Sequence, residues 1–356
     1  MLNPDNILVI RLSSLGDVLM SIPAVVAIRD TYADARISWL VEGSVGELLK
    51  HQDFVDDVIR FPRQEIAGAI GKTGPARAME EMGKFVRRLR ETEYDVVADF
   101  HGIIKSAVFS RLARAKRRVG FGKTYAKEMS HLFYKETVNA GGKRIHKVDR
   151  NMLLARYLGA GEKIPAPVLA APVEAKSYVD AFLAEACITS PIFAVNPFSS
   201  KGSSYKRWSI EKYGALIRRL EDEVGVRALI LWGPGEKEEA ERLKEVSGGG
   251  AELACPTTVP QLLALLKKVD MYIGGDTGVM HLAAFADTPV VAIFGPTDVK
   301  VNAPYGGKSI VVRKDLPCSP CKNKDCRDRE CVDAISVEEV FDAAAKMHKS
   351  SKEQRA

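Results

Sequence analysis

The chain has 356 residues, 46% of them hydrophobic and 28% charged, with a formal net charge of +6 at pH 7. This composition excludes a disordered chain, and the length suffices for two domains that each bury a core. No apolar run approaches the ~20 residues of a transmembrane helix, and a polar start that soon meets Arg11 is unlike a signal peptide. We therefore expect a cytoplasmic protein with mostly reduced cysteines.

The first half of the chain alternates short apolar runs with helical segments, which predicts a buried parallel sheet. A long polar loop is expected over residues 62–78, and its glycines suggest that it orders when a ligand binds. The predicted strands are Ile7–Ile10, Ile37–Val41, Val58–Phe61 and Asp95–Asp99.

A linker with three prolines, residues 161–175, separates a second series of the same kind. The fold class is therefore α/β, with two Rossmann-like parallel-sheet domains at 1–165 and 176–335 and a cleft between them. An amphipathic pattern at 336–348 predicts a final helix. The strand-like runs of the second domain are 192–195, 228–232, 271–273 and 290–294, and its helical segments are 209–221, 236–246 and 278–286.

Neither a G-x-G-x-x-G motif after the first strand nor a P-loop is present, which disfavours a dinucleotide or P-loop site. The segment Gly274–Gly278 instead follows a strand and opens a helix. Its glycines and free amides favour an anion such as a pyrophosphate. The alternative is an ordinary turn in which Asp276 or Thr277 caps the helix.

Three further side chains follow strands of the same domain. Lys206 offers a cation for phosphate, Glu236 a carboxylate for ribose hydroxyls, and His281 lies on the helix that Thr277 begins. Taken singly, they are also typical of a solvated lysine, a helix N-terminal acid and a packed histidine. In the first domain, Asp17 is a candidate general base, or else a cap of the helix that follows it.

The chain resembles glycosyltransferase family nine, the bacterial ADP-heptose:lipopolysaccharide heptosyltransferases. The resemblance runs nearly end to end. Its most specific part joins an Asp-Thr-Gly…His-Leu-Ala-Ala stretch to Gly-Pro-Thr-Asp, and the loop containing Asp17 is the next most specific. The matching segments are Arg11–Val18, Asp99–Ser106, Lys206–Trp208, Trp232–Gly233, Asp276–Ala284 and Phe294–Asp298.

The resemblance implies a GT-B fold, two Rossmann-like domains facing across a cleft, and the final helix of such proteins often packs back on the N-terminal domain. It also implies an inverting, metal-independent transfer of L-glycero-D-manno-heptose from ADP-heptose to a Kdo-containing acceptor. The acceptor belongs to the first domain and the nucleotide to the second. Asp17 matches the proposed base, Lys206 and the Asp276-Thr277-Gly278 turn match the diphosphate contacts, and Glu236 matches the ribose carboxylate more loosely.

A basic stretch in the first domain points to an anionic partner. Residues 100–127 contain no acidic side chain. A solvated helix face and loop is the alternative, and no motif supports nucleic acid as the partner. Given the family, we expect Kdo-lipid A on an anionic membrane, with the enzyme peripheral on the inner face of the inner membrane. Segments 125–128 and 132–134 and the loop 62–78 are most like heptosyltransferase I enzymes, and Arg63, Lys105 and Lys127 are the acceptor candidates. The cations of the stretch are Lys105, Arg111, Arg114, Lys116, Arg117, Arg118, Lys123 and Lys127.

Four cysteines lie within fourteen residues, at Cys318, Cys321, Cys326 and Cys331. Their thiolates suit a structural zinc ion, although the spacing differs from that of a two-knuckle site. A pinned disulfide loop and unliganded thiols are the alternatives. We expect a structural role and no cofactor requirement for catalysis.

Two other functions are compatible with the sequence. One is transfer by a family member to another acceptor, such as a second heptose or a different glycan. The other is a protein that binds a nucleotide sugar without turnover, which the presence of Asp17, Lys206 and Asp276 disfavours.

Overall fold

The computed structural model forms two compact units, Met1–Ala170 and Ala171–Ala356. Each unit contains one six-stranded sheet whose strands all run parallel. The predicted α/β class with two Rossmann-like sheets is confirmed. The structure describes residues 4–355 except Thr73, Ala140, Gly141, Lys143, Ser190, Lys201, Gly307 and Lys322.

The sheet of the first unit has the strand order β3-β2-β1-β4-β5-β6. Its strands are β1 (Asn6–Ile10), β2 (Arg36–Glu42), β3 (Asp57–Phe61), β4 (Glu93–Asp99), β5 (Arg114–Phe121) and β6 (Glu136–Val138). Its helices are α1 (Leu15–Leu19), α2 (Ile22–Thr31), α3 (Val45–Leu49), α4 (Arg63–Lys72), α5 (Pro75–Leu89), α6 (Ile104–Leu112) and α7 (Lys147–Tyr157), with a 3-10 helix at Ser130–Phe133.

The second unit repeats this topology, with the order β12-β11-β10-β7-β8-β9. Its strands are β7 (Ile192–Asn196), β8 (Arg227–Ile230), β9 (Ala251–Leu253), β10 (Met271–Gly275), β11 (Val290–Phe294) and β12 (Ser309–Arg313). Its helices are α8 (Val173–Glu185), α9 (Ile210–Val224), α10 (Lys237–Val246), α11 (Val259–Leu266), α12 (Gly278–Phe285), α13 (Val299–Asn302), α14 (Glu330–Asp333) and α15 (Val337–Arg355), with a 3-10 helix at Ser204–Lys206.

The C-terminal helix α15 is longer than the predicted 336–348, and its apolar face is used within the second unit. Val340, Phe341, Ala344 and Met347 are buried in the core that also contains β7, β10 and β11 side chains. Burial of this face stabilises the sheet edge that α15 covers. Packing of α15 on the first domain stays a prediction.

The loop predicted over residues 62–78 is wrong, because α4 and α5 occupy most of it. Gly68 and Gly71 adopt ordinary helical angles, and an added Cβ at either would meet no atom within 4 Å. Each glycine costs a helix about 1 kcal/mol relative to alanine. The helix α4 nevertheless forms, and it packs against α5. Thr73 lies outside the described residues.

The basic stretch is not simply a solvated helix face and loop. Residues 114–121 of this stretch form strand β5. Acidic residues on the adjacent strands neutralise three of its four cations. Arg114 pairs with Glu93 at 3.3 Å, and Lys116 pairs with Asp95 at 2.7 Å. A basic strand is therefore stable between acidic neighbours, and only part of the stretch is left for an anionic partner.

The strand order places one topological switch point in each sheet. In the first sheet it lies between β1 and β4, and in the second between β7 and β10, where the crossovers turn to opposite sides. Ligands of open α/β sheets bind at the carboxyl ends of these strands. Asp17 follows β1, Lys206 follows β7 and Asp276 follows β10, so all three candidates lie at switch points.

Within the described residues, no helix combines the length and the apolar character that a membrane crossing requires.

Gly274 at the end of β10 is required by close packing, whereas its neighbour Gly275 is not. A Cβ on Gly274 would lie 2.5 Å from the buried Tyr272 hydroxyl and 2.8 Å from the Asn196 carbonyl oxygen. The nearest atom to a Cβ on Gly275 is 3.8 Å away. We expect Gly274→Ala to lower the free energy of unfolding by about 1–3 kcal/mol. Urea denaturation measures this, and Gly275→Ala is the matched control. Equal stability of the two variants would contradict the packing.

Candidate active site

Asp17 lies on the short helix α1 between two cations. The guanidinium Nη2 of Arg11 is 3.0 Å from Asp17 Oδ2, and the Lys147 ammonium is 2.7 Å from Asp17 Oδ1. Arg11 is itself buried and donates a 2.7 Å hydrogen bond to the carbonyl of Phe100, which fixes it beneath the loop. The two ion pairs therefore fix the Asp17 side chain in the loop region that follows β1.

The surroundings keep Asp17 ionised. Burial raises the pKa of its carboxyl, but Arg11 and Lys147 outweigh burial and hold that pKa well below its usual range. The nearby Arg150 acts in the same direction, although its own pKa is lowered to about 10 by burial and by Arg11. Asp17 is therefore a proton acceptor at neutral pH. It does not cap α1 from the N-cap position, which belongs to Ser14.

The loop after β4 supports the loop that contains Asp17. Buried Asp99 accepts hydrogen bonds from the Tyr134 hydroxyl at 2.6 Å and from the backbone N–H of His101 at 2.8 Å. His101 Nδ1 in turn accepts from the N–H of Leu12 at 3.3 Å. Burial and Arg11 lower the pKa of His101 to about 3, so the ring is neutral and able to accept. The two switch-point loops are thereby joined.

Two of the three acceptor candidates of the first unit lie beside the buried carboxylate of Glu42. Lys105 forms an ion pair with Glu42, and Arg63 Nη1 lies 3.8 Å from Glu42 Oε2. Lys127 is exposed, and its backbone N–H binds the Gly102 carbonyl at 2.8 Å. Both Lys105 and Lys127 are near enough to His101 to lower its pKa. The structure therefore brings Arg63 and Lys105 together and leaves the ammonium of Lys127 toward solvent.

In the second unit, Lys206 and Asp276 meet at the switch point. Their side chains form an ion pair with Nζ 3.0 Å from Oδ2. Thr277 is the N-cap of α12, with its hydroxyl accepting from the N–H of Met280 at 3.4 Å. Gly278 is the first helical residue, so its amide belongs to the N-terminal turn that favours an anion. The capping alternative and the anion-site prediction therefore describe one turn.

His281 and Glu236 adjoin this turn in different ways. His281 is buried, and its Nε2 is 4.0 Å from Asp276 Oδ1, so it supports the turn from inside. Glu236 is the N-cap residue of α10 and accepts from the N–H of Gly233 at 2.8 Å. Burial raises the pKa of Glu236, opposed by that hydrogen bond and by Arg207, whose Nη2 lies 3.6 Å from Glu236 Oε1. A carboxylate with these two partners retains lone pairs for ribose hydroxyls.

A small pocket of the second unit opens between the loops after β7 and β10. It is lined by both members of the ion pair and by the capping threonine. A cation, backbone amides and a helix N-terminus at one pocket are groups that favour an anion such as a diphosphate. The lining residues are Pro197, Phe198, Ser199, Lys206, Arg207, Trp208, Tyr213, Gly275, Asp276 and Thr277.

The segment that contains the four clustered cysteines is hydrogen-bonded to the loop after β11. The N–H of Cys321 donates to the Pro296 carbonyl at 2.8 Å, and the Ser319 hydroxyl donates to the Gly295 carbonyl at 2.9 Å. Burial raises the pKa of the Cys331 thiol, and the nearby Cys321 thiol adds to this effect. Among the described residues, no three His, Cys, Asp or Glu side chains are arranged to hold a metal ion. Zinc binding by Cys318, Cys321, Cys326 and Cys331 stays a prediction.

Sequence reasoning missed two cations that complete these sites. Lys147 is the first residue of α7, where the helix dipole disfavours a cation unless an anion is near, and this position was the available signal. Arg207 binds Ser199 through its carbonyl at 2.8 Å and Glu239 at 3.1 Å. It therefore fixes the chain beside Lys206.

Comparisons with known proteins identify the family of the chain. The model of the family "Glycosyltransferase family 9 (heptosyltransferase)" matches residues 82–331. Lipopolysaccharide heptosyltransferase 1 of Pseudomonas aeruginosa is 28% identical over 330 residues, which cover 90% of this chain and 87% of that protein. The Escherichia coli K12 protein of the same name is 28% identical over 312 residues, covering 86% and 93%.

The fold is also shared with solved structures. Escherichia coli heptosyltransferase WaaC with ADP superposes with a TM-score of 0.76 at 23% identity, covering 96% of this chain and 99% of that one. A family 9 glycosyltransferase of Veillonella parvula gives a TM-score of 0.79 at 17% identity, covering 97% of each chain. Since the family model spans more than half of the sequence, the chain belongs to glycosyltransferase family 9, the heptosyltransferases.

Proposed function

We propose that this glycosyltransferase moves L-glycero-D-manno-heptose from ADP-heptose to a Kdo-containing inner-core acceptor of lipopolysaccharide, with inversion and without a metal ion. The observation that carries the proposal is the ionised Asp17 between Arg11 and Lys147. The names of the relatives, lipopolysaccharide heptosyltransferase 1, support the heptose and the first-heptose acceptor.

In this mechanism the second unit holds the leaving group. Lys206 and the amides at the start of α12 offset the charge that builds on the diphosphate as the bond to the heptose breaks. Positive charge from these groups serves where a metal ion serves in other transferases. Asp276 holds Lys206 in place before the donor arrives, and Glu236 accepts from the ribose hydroxyls.

The first unit supplies the base. Asp17 accepts the proton of the acceptor hydroxyl as the new bond to the anomeric carbon forms on the face opposite the departing ADP. Attack on that face inverts the anomeric configuration. The two cations beside Asp17 keep it charged but also weaken it as a base.

An anionic acceptor resolves this conflict. A Kdo carboxylate or a phosphate that draws Lys147 away from Asp17 raises the pKa of Asp17 toward the working pH. Lys147 lies at the start of α7 and is a quarter exposed, so an acceptor can reach it. Acceptor binding then strengthens the base only when a hydroxyl is present to react.

We further propose that the enzyme works in the cytoplasm, peripherally on the inner face of the inner membrane. An acceptor anchored by lipid A would be presented at such a surface. The exposed cations of the first unit suit an anionic membrane.

The transfer is tested by ADP release from ADP-heptose and deacylated Kdo2-lipid A in the presence of EDTA. We expect acceptor-dependent release that EDTA does not reduce, with a product of inverted anomeric configuration by NMR. Asp17→Asn should lower turnover by a factor of about 10²–10⁴, because the amide cannot accept the proton.

The control for this test is ADP binding by the Asp17→Asn protein, which should equal that of the wild type. Release with a heptosylated acceptor alone would identify the second heptose as the product. Release that is independent of Asp17, or that EDTA abolishes, would contradict the mechanism.

Donor binding gives a second test. Lys206→Met removes a cation from the diphosphate and leaves Asp276 without this partner, so calorimetry should show ADP binding weakened about tenfold to hundredfold. Lys244→Met is the matched control, because Lys244 pairs with Glu252 on the surface. Equal loss of affinity in both variants would show that Lys206 does not bind the donor.

A further inference from the structure

The first unit carries a concentrated group of exposed apolar side chains. Of the nine large hydrophobic residues exposed among the described residues, two are on α6, one is in the 3-10 helix Ser130–Phe133 and one precedes that helix. Exposed apolar side chains that cluster on adjoining elements commonly mark an interaction surface. We name these residues the α6 patch: Ile104 (45% exposed), Val108 (38%), Met129 (65%) and Leu132 (65%).

The four side chains belong to adjoining elements. Ile104 and Val108 are four residues apart on one face of α6. Met129 and Leu132 are three residues apart at the 3-10 helix, which packs against α6. The N–H of Ile104 donates to Glu128 Oε2 at 3.1 Å, and this bond joins the two pairs.

The backbone is strained where it presents Met129. Glu128 and Met129 have φ angles of +53° and +59°, in the left-handed region that long side chains seldom adopt. Flanking bonds hold this conformation, since the N–H of Ser130 binds the Lys127 carbonyl at 2.9 Å. Strain of this kind persists where the surrounding structure imposes it, commonly at functional surfaces. Here it leaves a methionine side chain in solvent.

Four exposed cations adjoin the α6 patch in sequence. Arg111 is on the same helix, Lys123 and Lys127 precede Met129, and Lys135 follows the 3-10 helix. All four are exposed, and none takes part in the ion pairs formed among the described residues. They contrast with Arg114, Lys116 and Arg117 of β5, which acidic neighbours neutralise.

We propose that the α6 patch docks the protein on an anionic lipid bilayer. The apolar side chains enter the boundary between headgroups and acyl chains, and the adjacent cations meet lipid phosphates. A second copy of this chain is a poorer occupant, because symmetric pairing of the α6 patch would bring both sets of cations together. The proposal rests on the proposed function, which places the acceptor in a membrane.

Vesicle co-sedimentation of the full chain without ADP-heptose tests the docking separately from transfer. The probes are phosphatidylcholine vesicles with and without phosphatidylglycerol. We expect binding to the anionic vesicles that weakens with salt, and at least about tenfold weaker binding by Met129→Ser/Leu132→Ser. ADP release with the deacylated, soluble acceptor should be unchanged in that variant.

The matched control is Val168→Ser/Val173→Ser, which removes two exposed valines elsewhere and should bind as the wild type does. Lys123→Gln/Lys135→Gln is a second variant that tests the charges without altering the apolar side chains, and it should bind anionic vesicles more weakly.

Absence of wild-type binding, equal binding to both vesicle types, or unchanged binding by both patch variants would overturn the proposal. So would a Met129→Ser/Leu132→Ser protein that keeps vesicle binding but changes from dimer to monomer in sedimentation, because the α6 patch would then be an interface between copies.

Discussion

Parallel sheets impose one constraint on which both units depend. Where the crossovers on either side of a central strand pair turn in opposite directions, the loops at the carboxyl ends separate and leave room for a ligand. β1 and β4 create this room in the first unit, and β7 and β10 create it in the second. Asp17 and the Lys206–Asp276 pair occupy these two positions, and the chemistry follows from what each loop carries.

Both sites hold their charged groups against a partner before any substrate is present. Asp17 is held by Arg11 and Lys147, and Lys206 is held by Asp276. Charges fixed in this way need little reorganisation when a substrate arrives, because the substrate exchanges one ion pair for another. For Asp17 the exchange has a further consequence under the proposed mechanism, since loss of Lys147 increases its basicity.

Patterns that depend on local periodicity were predictable from the sequence. The central strands are continuous apolar runs, and β1, β2, β7, β10 and β11 lie where those runs predicted them. Strand β5 could not be found in this way. Three of its four cations pair with Glu93, Asp95 and Glu136 on neighbouring strands, and those neighbours become visible only with the strand pairing.

The candidate site was predictable to a similar extent. Asp276 follows β10 directly, and Asp17 and Lys206 lie in the first segments after β1 and β7, so strand order alone places all three at the carboxyl ends of the sheets. Lys147 was missed because it comes from a helix 130 positions away in sequence, and only the fold brings it to Asp17. The helices in place of the loop 62–78 show that two glycines were a poor signal for a loop, because a glycine costs a helix only about 1 kcal/mol.

The ionisation of Asp17 is the feature on which the proposed reaction depends most, and carboxyl-¹³C aspartate labelling measures it directly. The Asp17→Asn spectrum identifies the resonance. Because Arg11 and Lys147 favour the charged form, the folded-state pKa should lie below the ordinary aspartate value of about 3.9. We predict that the resonance of the free protein keeps its ionised chemical shift between about pH 8 and pH 5. A titration midpoint within that interval would contradict an Asp17 that the two cations hold ionised.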